Sequence, residues 1–392
     1  MKLLLLLVFI FVLSAARKLE FVQSVWRHGD RAPIEQPYPT DRYTEEYWPR
    51  GWGMLTNIGM RQLKNLGQFM RARYATLTKT RFDPSEVYLV TSNVDRTSAS
   101  AQSFSYGFYP ATGADVFESG LPWQPTPIHG SSDGVDDWIC RATSINCPKY
   151  NDQYAPIANA SIEENDREYA DLFSFLSTVT GISNFSTVDT FGIYDINREL
   201  ANNLTQQPDW VYRRWEQYGG RTTLQIATDI GDSFFVQMYS APNLGRRFTG
   251  YLLGDFITTA LNVANGTQKN PSKMKLYSSH DTVLSSLMYT MGVGDGKIPT
   301  YGAAIIMEVY SDPWTVEFVY RNDSTRDPYP IYIPDCGYSC SVKKLSEIYT
   351  RTAIFTIEEA QENCGIVPAE CSYSSERLVV FGVVLSIFFV FN

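Results

Sequence analysis

Leu19 to Trp26 (LEFVQSVW) runs without a break into Arg27-His28-Gly29-Asp30-Arg31-Ala32-Pro33. The first eight residues alternate apolar and polar side chains, the period of a β-strand. Gly29 and Pro33 then mark a loop. The strand therefore delivers two arginines and a histidine to its C-terminal end. The same arrangement returns twice. Glu86 to Thr91 reads as a second strand that stops at Ser92-Asn93-Val94-Asp95-Arg96-Thr97 and gives way to a helix rich in Ser and Ala. Met274 to Ser279 reads as a third, ending at His280-Asp281-Thr282, after which Val283 to Met291 continues as helix.

Strand–turn–helix repeated in this way predicts an α/β fold: a central, largely parallel (mixed) sheet flanked by helices. Ligands of such sheets bind beyond the C-terminal strand ends. The loops that begin at Arg27, Ser92 and His280 are thus expected to converge, although they lie far apart in the chain. Helix starts near Asp95 and Asp281 would point their positive dipole ends into the same space. Around this frame, Thr56 caps a helix to about Tyr74 with Ile58, Leu63, Leu66, Phe69 and Met70 inward. Ala303 to Tyr310 and Thr315 to Tyr320 form a hairpin about Asp312-Pro313.

The middle of the chain has a different texture. Ser161-Ile-Glu-Glu164 has the capping-box pattern and predicts a helix from there to about Thr180. Thr187 to Leu204 and Asp209 to Tyr218 also read as helical, and a long helix begins near Pro242 and ends near Asn265. The expected organisation is a discontinuous α/β catalytic domain, residues 17–150 and 241–370, with a mostly helical second domain, 151–240, inserted as a cap over the ligand edge. There are no internal repeats.

Both ends are apolar. Met1-Lys2, the run Leu3 to Leu13 and the small residues Ser14-Ala15-Ala16 predict a signal peptide, residues 1–16, cleaved after Ala16. Residues 377–392 form an apolar tail: Arg377, Leu378 to Phe391, then Asn392. Fourteen residues reach only about 21 Å as helix, short of a hydrocarbon core of about 30 Å. The tail reads as a short anchor with Arg377 snorkelling, as a lipid-anchor signal near Ser372, Ser374 and Ser375 that lacks the usual polar spacer, or as a buried strand. Membrane attachment is the favoured reading.

A secretory route predicts disulfides, and the six cysteines are even in number: Cys140, Cys147, Cys336, Cys340, Cys364 and Cys371. Cys336 and Cys340 are close enough to staple a turn, and Cys364 and Cys371 could reach back to Cys147 and Cys140. A zinc site at Cys336-x-x-x-Cys340 has no histidines nearby to complete it. Sequons at Asn159, Asn184, Asn203, Asn265 and Asn322 fit the same compartment.

The chain has 392 residues, 44% hydrophobic and 19% charged, enough apolar content to exclude general disorder. Its net charge of −9, with no run of Lys or Arg, argues against nucleic-acid binding. Within this acidic chain, convergence of Arg27, Arg31 and Arg96 with His28 and His280 would build a cationic hollow. Two unit charges 4 Å apart repel by roughly 4 kcal/mol at an effective dielectric of 20, so such a cluster calls for an anion. Guanidinium forks match phosphate oxygens. The same field keeps His28 uncharged, with a nitrogen lone pair free to act as a nucleophile. A lone Arg-His loop is usually surface decoration and a lone His-Asp pair usually structural. Together, at three strand ends, they are far more specific.

The loop Arg27-His28-Gly29-Asp30-Arg31-Ala32-Pro33 resembles the RHGxRxP signature of the histidine acid phosphatases, branch 2 of the histidine phosphatase superfamily. Arg96 and His280-Asp281 resemble that family's later arginine and His-Asp pair. Cys147-Pro148 and Cys336, Cys340 and Cys364 are similar to its cysteine spacing, with Cys140 and Cys371 as an additional pair. The resemblance extends from about residue 19 to about 365. It implies hydrolysis of a small phosphomonoester in two steps. His28 would be the nucleophile and Asp281 the proton donor to the leaving oxygen. Arg27, Arg31, Arg96 and His280 would hold the phosphate. It implies no cofactor and no metal, and it carries an expected acid pH optimum. Members of the family often dimerise, and no residue here establishes a homodimer.

Four other features compete for attention. His129, between Pro127 and Gly130, reads as a loop histidine rather than a pocket residue, and Asp30 as a carboxylate that shapes its loop by bonding backbone or an arginine. Gly130-Ser131-Ser132-Asp133-Gly134 spells G-x-S-x-G, but the prolines before it break the strand a nucleophile elbow needs. Gly292 to Lys297 lacks P-loop spacing and reads as a turn. The alternatives to an acid phosphatase are a phosphatase specialised for inositol polyphosphates or lysophospholipids, and a non-catalytic cell-surface glycoprotein.

Overall fold

The computed structural model describes residues 17–132 and 134–366. The strands are β1 (Lys18–Arg27), β2 (Val87–Thr91), β3 (His129–Gly130), β4 (Arg214–Trp215), β5 (Arg221–Thr222), β6 (Met274–Ser279), β7 (Ala304–Ser311), β8 (Thr315–Arg321), β9 (Tyr329–Pro330) and β10 (Cys340–Ser341). The helices are α1 (Asn57–Arg73), α2 (Asp95–Phe108), α3 (Pro148–Glu168), α4 (Ala170–Thr180), α5 (Thr190–Ala201), α6 (Asp209–Tyr212), α7 (Thr223–Ser240), α8 (Leu244–Ala264), α9 (Asp281–Thr290), α10 (Val342–Ile348) and α11 (Ile357–Cys364).

The main sheet has the order β10-β8-β7-β1-β6-β2-β3, with β9 on β8. It is parallel across β1, β6, β2 and β3 and antiparallel from β1 through β7 to β8, β9 and β10. The mixed α/β architecture is as expected, with the parallel part confined to the half that carries the loops. Register explains the convergence. Arg27 lies opposite Ser279, and Thr91 opposite Ser278. Neighbouring strands are about 4.8 Å apart, so β1, β6 and β2 release their loops side by side at one edge.

Although β1 alternates in sequence, it is buried on both faces from Phe21 onward. Val22 and Trp26 face α1 and α2 with Leu63, Leu66, Met70 and Phe104. Phe21 and Val25 face α8 and α9 with Leu252, Phe256, Leu284 and Leu287. Thr56 caps α1 by accepting from the Gly59 N–H at 3.2 Å, an interaction worth about 1 kcal/mol. The helix start then packs against the first loop so tightly that a Cβ on Gly29 would meet the Gly59 backbone at 2.4 Å. That contact is the reason the loop needs glycine there.

The middle region corrects two expectations and adds a helix. Ser161 does not begin a helix: α3 starts at Pro148 and runs through it to Glu168, because the exposed face of a longer helix carries the same Ser-x-x-Glu spacing as a cap. Asp209 to Tyr218 is one helical turn followed by the β4–β5 hairpin. The 18-residue α7 has no counterpart among the expected helices. It is apolar on several sides because it is buried between α5, α8 and α3, and it shows no clean single stripe. Residues Leu172, Leu176, Ile193, Ile196, Ile226 and Ile230 form an apolar cluster of their own among α4, α5 and α7.

Cys147 bonds Cys364, joining the start of α3 to the end of α11, and Cys336 bonds Cys340. Cys140 is fully buried with no disulfide among the described residues. Its expected partner Cys371, the signal peptide and the apolar tail lie outside the described residues. Among the described residues no helix is long and apolar enough to cross a membrane. Asn159, Asn184, Asn203 and Asn265 are exposed, and Asn322 is half-buried.

Candidate active site

Arg27 ends β1 inside the protein. Its guanidinium pairs with the Asp281 carboxylate at 2.5 Å, donates to the Pro299 carbonyl at 2.6 Å and lies 3.8 Å over the Tyr301 ring. Asp281 opens α9, where its other oxygen accepts from the Thr282 N–H at 2.8 Å. The next residue of the loop, His28, is 2% exposed. Its Nδ1 lies 2.8 Å from the Gly29 carbonyl. A carbonyl only accepts, so Nδ1 carries the proton and Nε2 the lone pair. Arg96 Nε donates to that Nε2 at 3.1 Å. Burial, followed by the charges of Arg96 and Arg27, holds His28 well below the usual histidine range. The imidazole is therefore neutral, as the charge argument from sequence requires.

His280, wholly buried, faces His28 edge-on with ring centroids 5.6 Å apart. Its Nε2 shares a hydrogen bond with Ser92 Oγ at 2.9 Å, and its Nδ1 has no partner among the described residues. Burial and the charges of Arg96, Arg141 and Arg27 hold it too well below its ordinary value. Burial, then the charge of Arg31, pushes Arg96 down to about 10. Arg31 goes the other way. Burial opposes its charge, but Asp195, 3.2 Å from its Nη1, more than offsets this and holds it above the usual arginine range.

Arg27, Arg31 and Asp281 line a cleft together with Asp195, Phe191, Tyr194, Phe235, Ile298 and Tyr301. His28 adjoins it, its ring centroid 5.8 Å from that of Tyr301. The six residues expected at the site therefore gather in one place. Asp30 shapes the loop as expected, through an arginine: its carboxylate accepts from Arg198 at 2.8 Å, from Thr56 at 2.6 Å and from Asn202 at 2.9 Å. His129 is exposed and stacks on Tyr88, 4.6 Å between centroids, away from the cleft. Ser131 donates to Asp137 rather than standing on an elbow; Asp133 lies outside the described residues.

Tyr301, Asp195 and Arg198 join the site without a counterpart among the expected residues, and Ser92, expected only as the start of its loop, joins it through His280. The helix α5 did carry a readable signal. Phe191, Tyr194, Asp195, Arg198 and Asn202 recur at helical spacing, and all five meet the cleft or the Arg27–Pro33 loop. The same helix buries Glu199 against Asp41 of the loop before α1. Burial, and for Glu199 the facing Asp41 carboxyl, raise both groups, and Glu199 Oε1 and Asp41 Oδ2 have no donor among the described residues.

The family model of the histidine phosphatase superfamily (branch 2) matches residues 18–330. The chain belongs to that family. This histidine phosphatase is 32% identical over 340 residues to the prostatic acid phosphatase of Mus musculus, with 85% of this chain and 86% of that one covered. It is 30% identical over 352 residues to the lysosomal acid phosphatase of Xenopus laevis, covering 86% and 77%. It is thus a member of the histidine acid phosphatases, which are phosphomonoesterases. In fold it is similar to the phytase of Citrobacter braakii, TM-score 0.61 at 17% identity over 88% of this chain and 99% of that chain. Hafnia alvei phytase in complex with myo-inositol hexakis sulphate gives a TM-score of 0.63 at 16% identity, covering 87% and 98%. Identities this low speak for the fold alone.

Proposed function

We propose that this histidine phosphatase hydrolyses phosphate monoesters through a phosphohistidine on His28, with Asp281 as proton donor. One observation carries the reading: a buried, neutral imidazole whose Nδ1 proton is fixed on the Gly29 carbonyl and whose Nε2 lone pair faces a cluster of guanidiniums. Nε2 attacks phosphorus as the bond to the leaving oxygen breaks, and Asp281 gives that oxygen its proton. Water then attacks phosphorus, Asp281 takes a proton back, the N–P bond breaks, and phosphate leaves. Arg27, Arg31, Arg96 and His280 stabilise the charge spread over the non-bridging oxygens. A phosphate that takes the Arg27 fork releases Asp281 from its ion pair to carry the proton.

The substrate's leaving group meets Phe191, Tyr194, Phe235 and Ile298, with the carboxylate of Asp195 beside them. Apolar walls beside carboxylate favour a leaving group with an apolar body over a polyphosphate. The helical segment 151–240 supplies most of those walls, in line with its reading as a cap on a discontinuous catalytic domain. The two disulfides support a route through the secretory pathway.

The test is turnover of an aryl phosphate by the purified protein between pH 4 and 9, beside His28→Ala. Acid-labile, base-stable phosphate trapped on the wild type and absent from the variant supports the reading. Equal, slow rates for both, or a rate maximum above pH 8, would refute it.

A further inference from the structure

Five arginines gather at the cleft and around the histidines beside it, and three of them have a carboxylate: Arg27 with Asp281, Arg31 with Asp195, Arg198 with Asp30. Arg96 spends its Nε on His28 and has no carboxylate partner among the described residues. The fifth, Arg141, was not singled out in the sequence. It is half-buried, its Nε is enclosed without a partner, and no ion pair reaches it among the described residues.

Two buried hydrogen bonds fix where it stands. Ser279 Oγ donates to the Cys140 carbonyl at 2.6 Å, and Thr143 Oγ1 shares a hydrogen bond with Thr282 Oγ1 at 2.7 Å. Residues 140–143 therefore run alongside 279–282, and Arg141 sits across from the His280–Asp281 step. Its charge is felt there, since it disfavours the charged forms of both Arg96 and His280. Asp137 favours its charge without forming an ion pair, being engaged by the Ile139 and Cys140 N–H groups and by Ser131. Among the described residues, then, Arg96 and Arg141 have no ion-pair partner and one buried imidazole nitrogen, His280 Nδ1, has no hydrogen-bond partner. A doubly charged anion would match this set in charge, and a phosphate ester is a dianion near neutral pH.

We propose that Arg141 is a further phosphate ligand, donating to a non-bridging oxygen of the ester that His28 attacks. This rests on the phosphomonoesterase reading of the same cleft and adds to it a second uncompensated cation beside Arg96.

The experiment uses the full chain with Arg141→Met and Arg141→Lys. It measures KM and kcat for p-nitrophenyl phosphate, the inhibition constant of inorganic phosphate at pH 5 and pH 7.5, and thermal stability. Loss of one charge-assisted hydrogen bond is expected to raise KM and the phosphate inhibition constant about tenfold to a hundredfold in Arg141→Met. The rise should be larger at pH 7.5, where phosphate is more fully dianionic. Lys should restore part of the loss, and the melting temperature should not move. Values within twofold of wild type at both pH values would overturn the assignment. So would a defect confined to esters with a second anion on the leaving group. If the wild type itself neither binds phosphate nor hydrolyses the ester, the failure is that of the underlying reading, and it is recognised by that control.

Discussion

Replacing Glu199 by Gln should flatten the pH dependence of stability. Glu199 is fully buried on α5 and Asp41 nearly so on the loop before α1. Gln207 donates to one Glu199 oxygen at 2.6 Å and the Tyr43 N–H to one Asp41 oxygen at 3.0 Å. The two remaining oxygens, Glu199 Oε1 and Asp41 Oδ2, have no donor between them, so the pair must hold a proton. Burial and then the facing Asp41 carboxyl push Glu199 up to about 9, against about 4.3 in an unfolded chain. A raised carboxyl value stabilises the fold fully below the unfolded value, and that stability is lost as pH rises toward the folded one. Each pH unit inside the window costs about 1.4 kcal/mol. From pH 5 to pH 7.5 the wild type should lose about 3 kcal/mol through this pair. In Glu199→Gln the amide oxygen can still accept from Gln207 while its NH2 donates to Asp41, so no proton is needed. Urea unfolding of both proteins at the two pH values isolates the term, because every other titrating group is shared. A variant whose stability falls between pH 5 and 7.5 by as much as the wild type's would refute the shared proton.

Further outcomes follow from the same geometry. Asp281→Asn should lower kcat by about 10²- to 10⁴-fold on alkyl phosphates and much less on p-nitrophenyl phosphate, whose leaving group needs no proton; equal losses on both would remove Asp281 as the acid. Gly29→Ala drives a Cβ into the Gly59 backbone, so melting temperature and kcat/KM should both drop, the first by an amount set by about 1–3 kcal/mol or more of overpacking; wild-type values for both would show that the contact yields. Exchanging Cys147 and Cys364 together for Ser opens a loop spanning 217 residues and should cost up to about 5 kcal/mol on the chain-entropy model, read as a lower unfolding midpoint under oxidising conditions.

Local sequence was enough to read the strands that carry the chemistry, because β1, β2 and β6 announce themselves by period and by the Gly, Pro and Ser that end them. The Thr56 cap, the β7–β8 hairpin and the long helix from Leu244 were legible for the same reason. Helix α7 was not: burial on several sides erases the stripe that marks an amphipathic helix. The Ser161 pattern misled because the spacing of a cap is also the spacing of an exposed helical face.

By itself, then, the chain determined which residues could do chemistry and at which strand ends they would sit, since backbone preference and hydrophobic period act over a few residues. Only the tertiary structure decided which charge meets which. It paired Arg31 with Asp195 and Asp30 with Arg198, buried Glu199 against Asp41, and left Arg96 and Arg141 without an ion-paired carboxylate among the described residues. Those contacts link residues more than a hundred positions apart, with the single exception of the Arg96–Arg141 neighbourhood. They depend on the packing of whole elements, to which no local window of sequence responds.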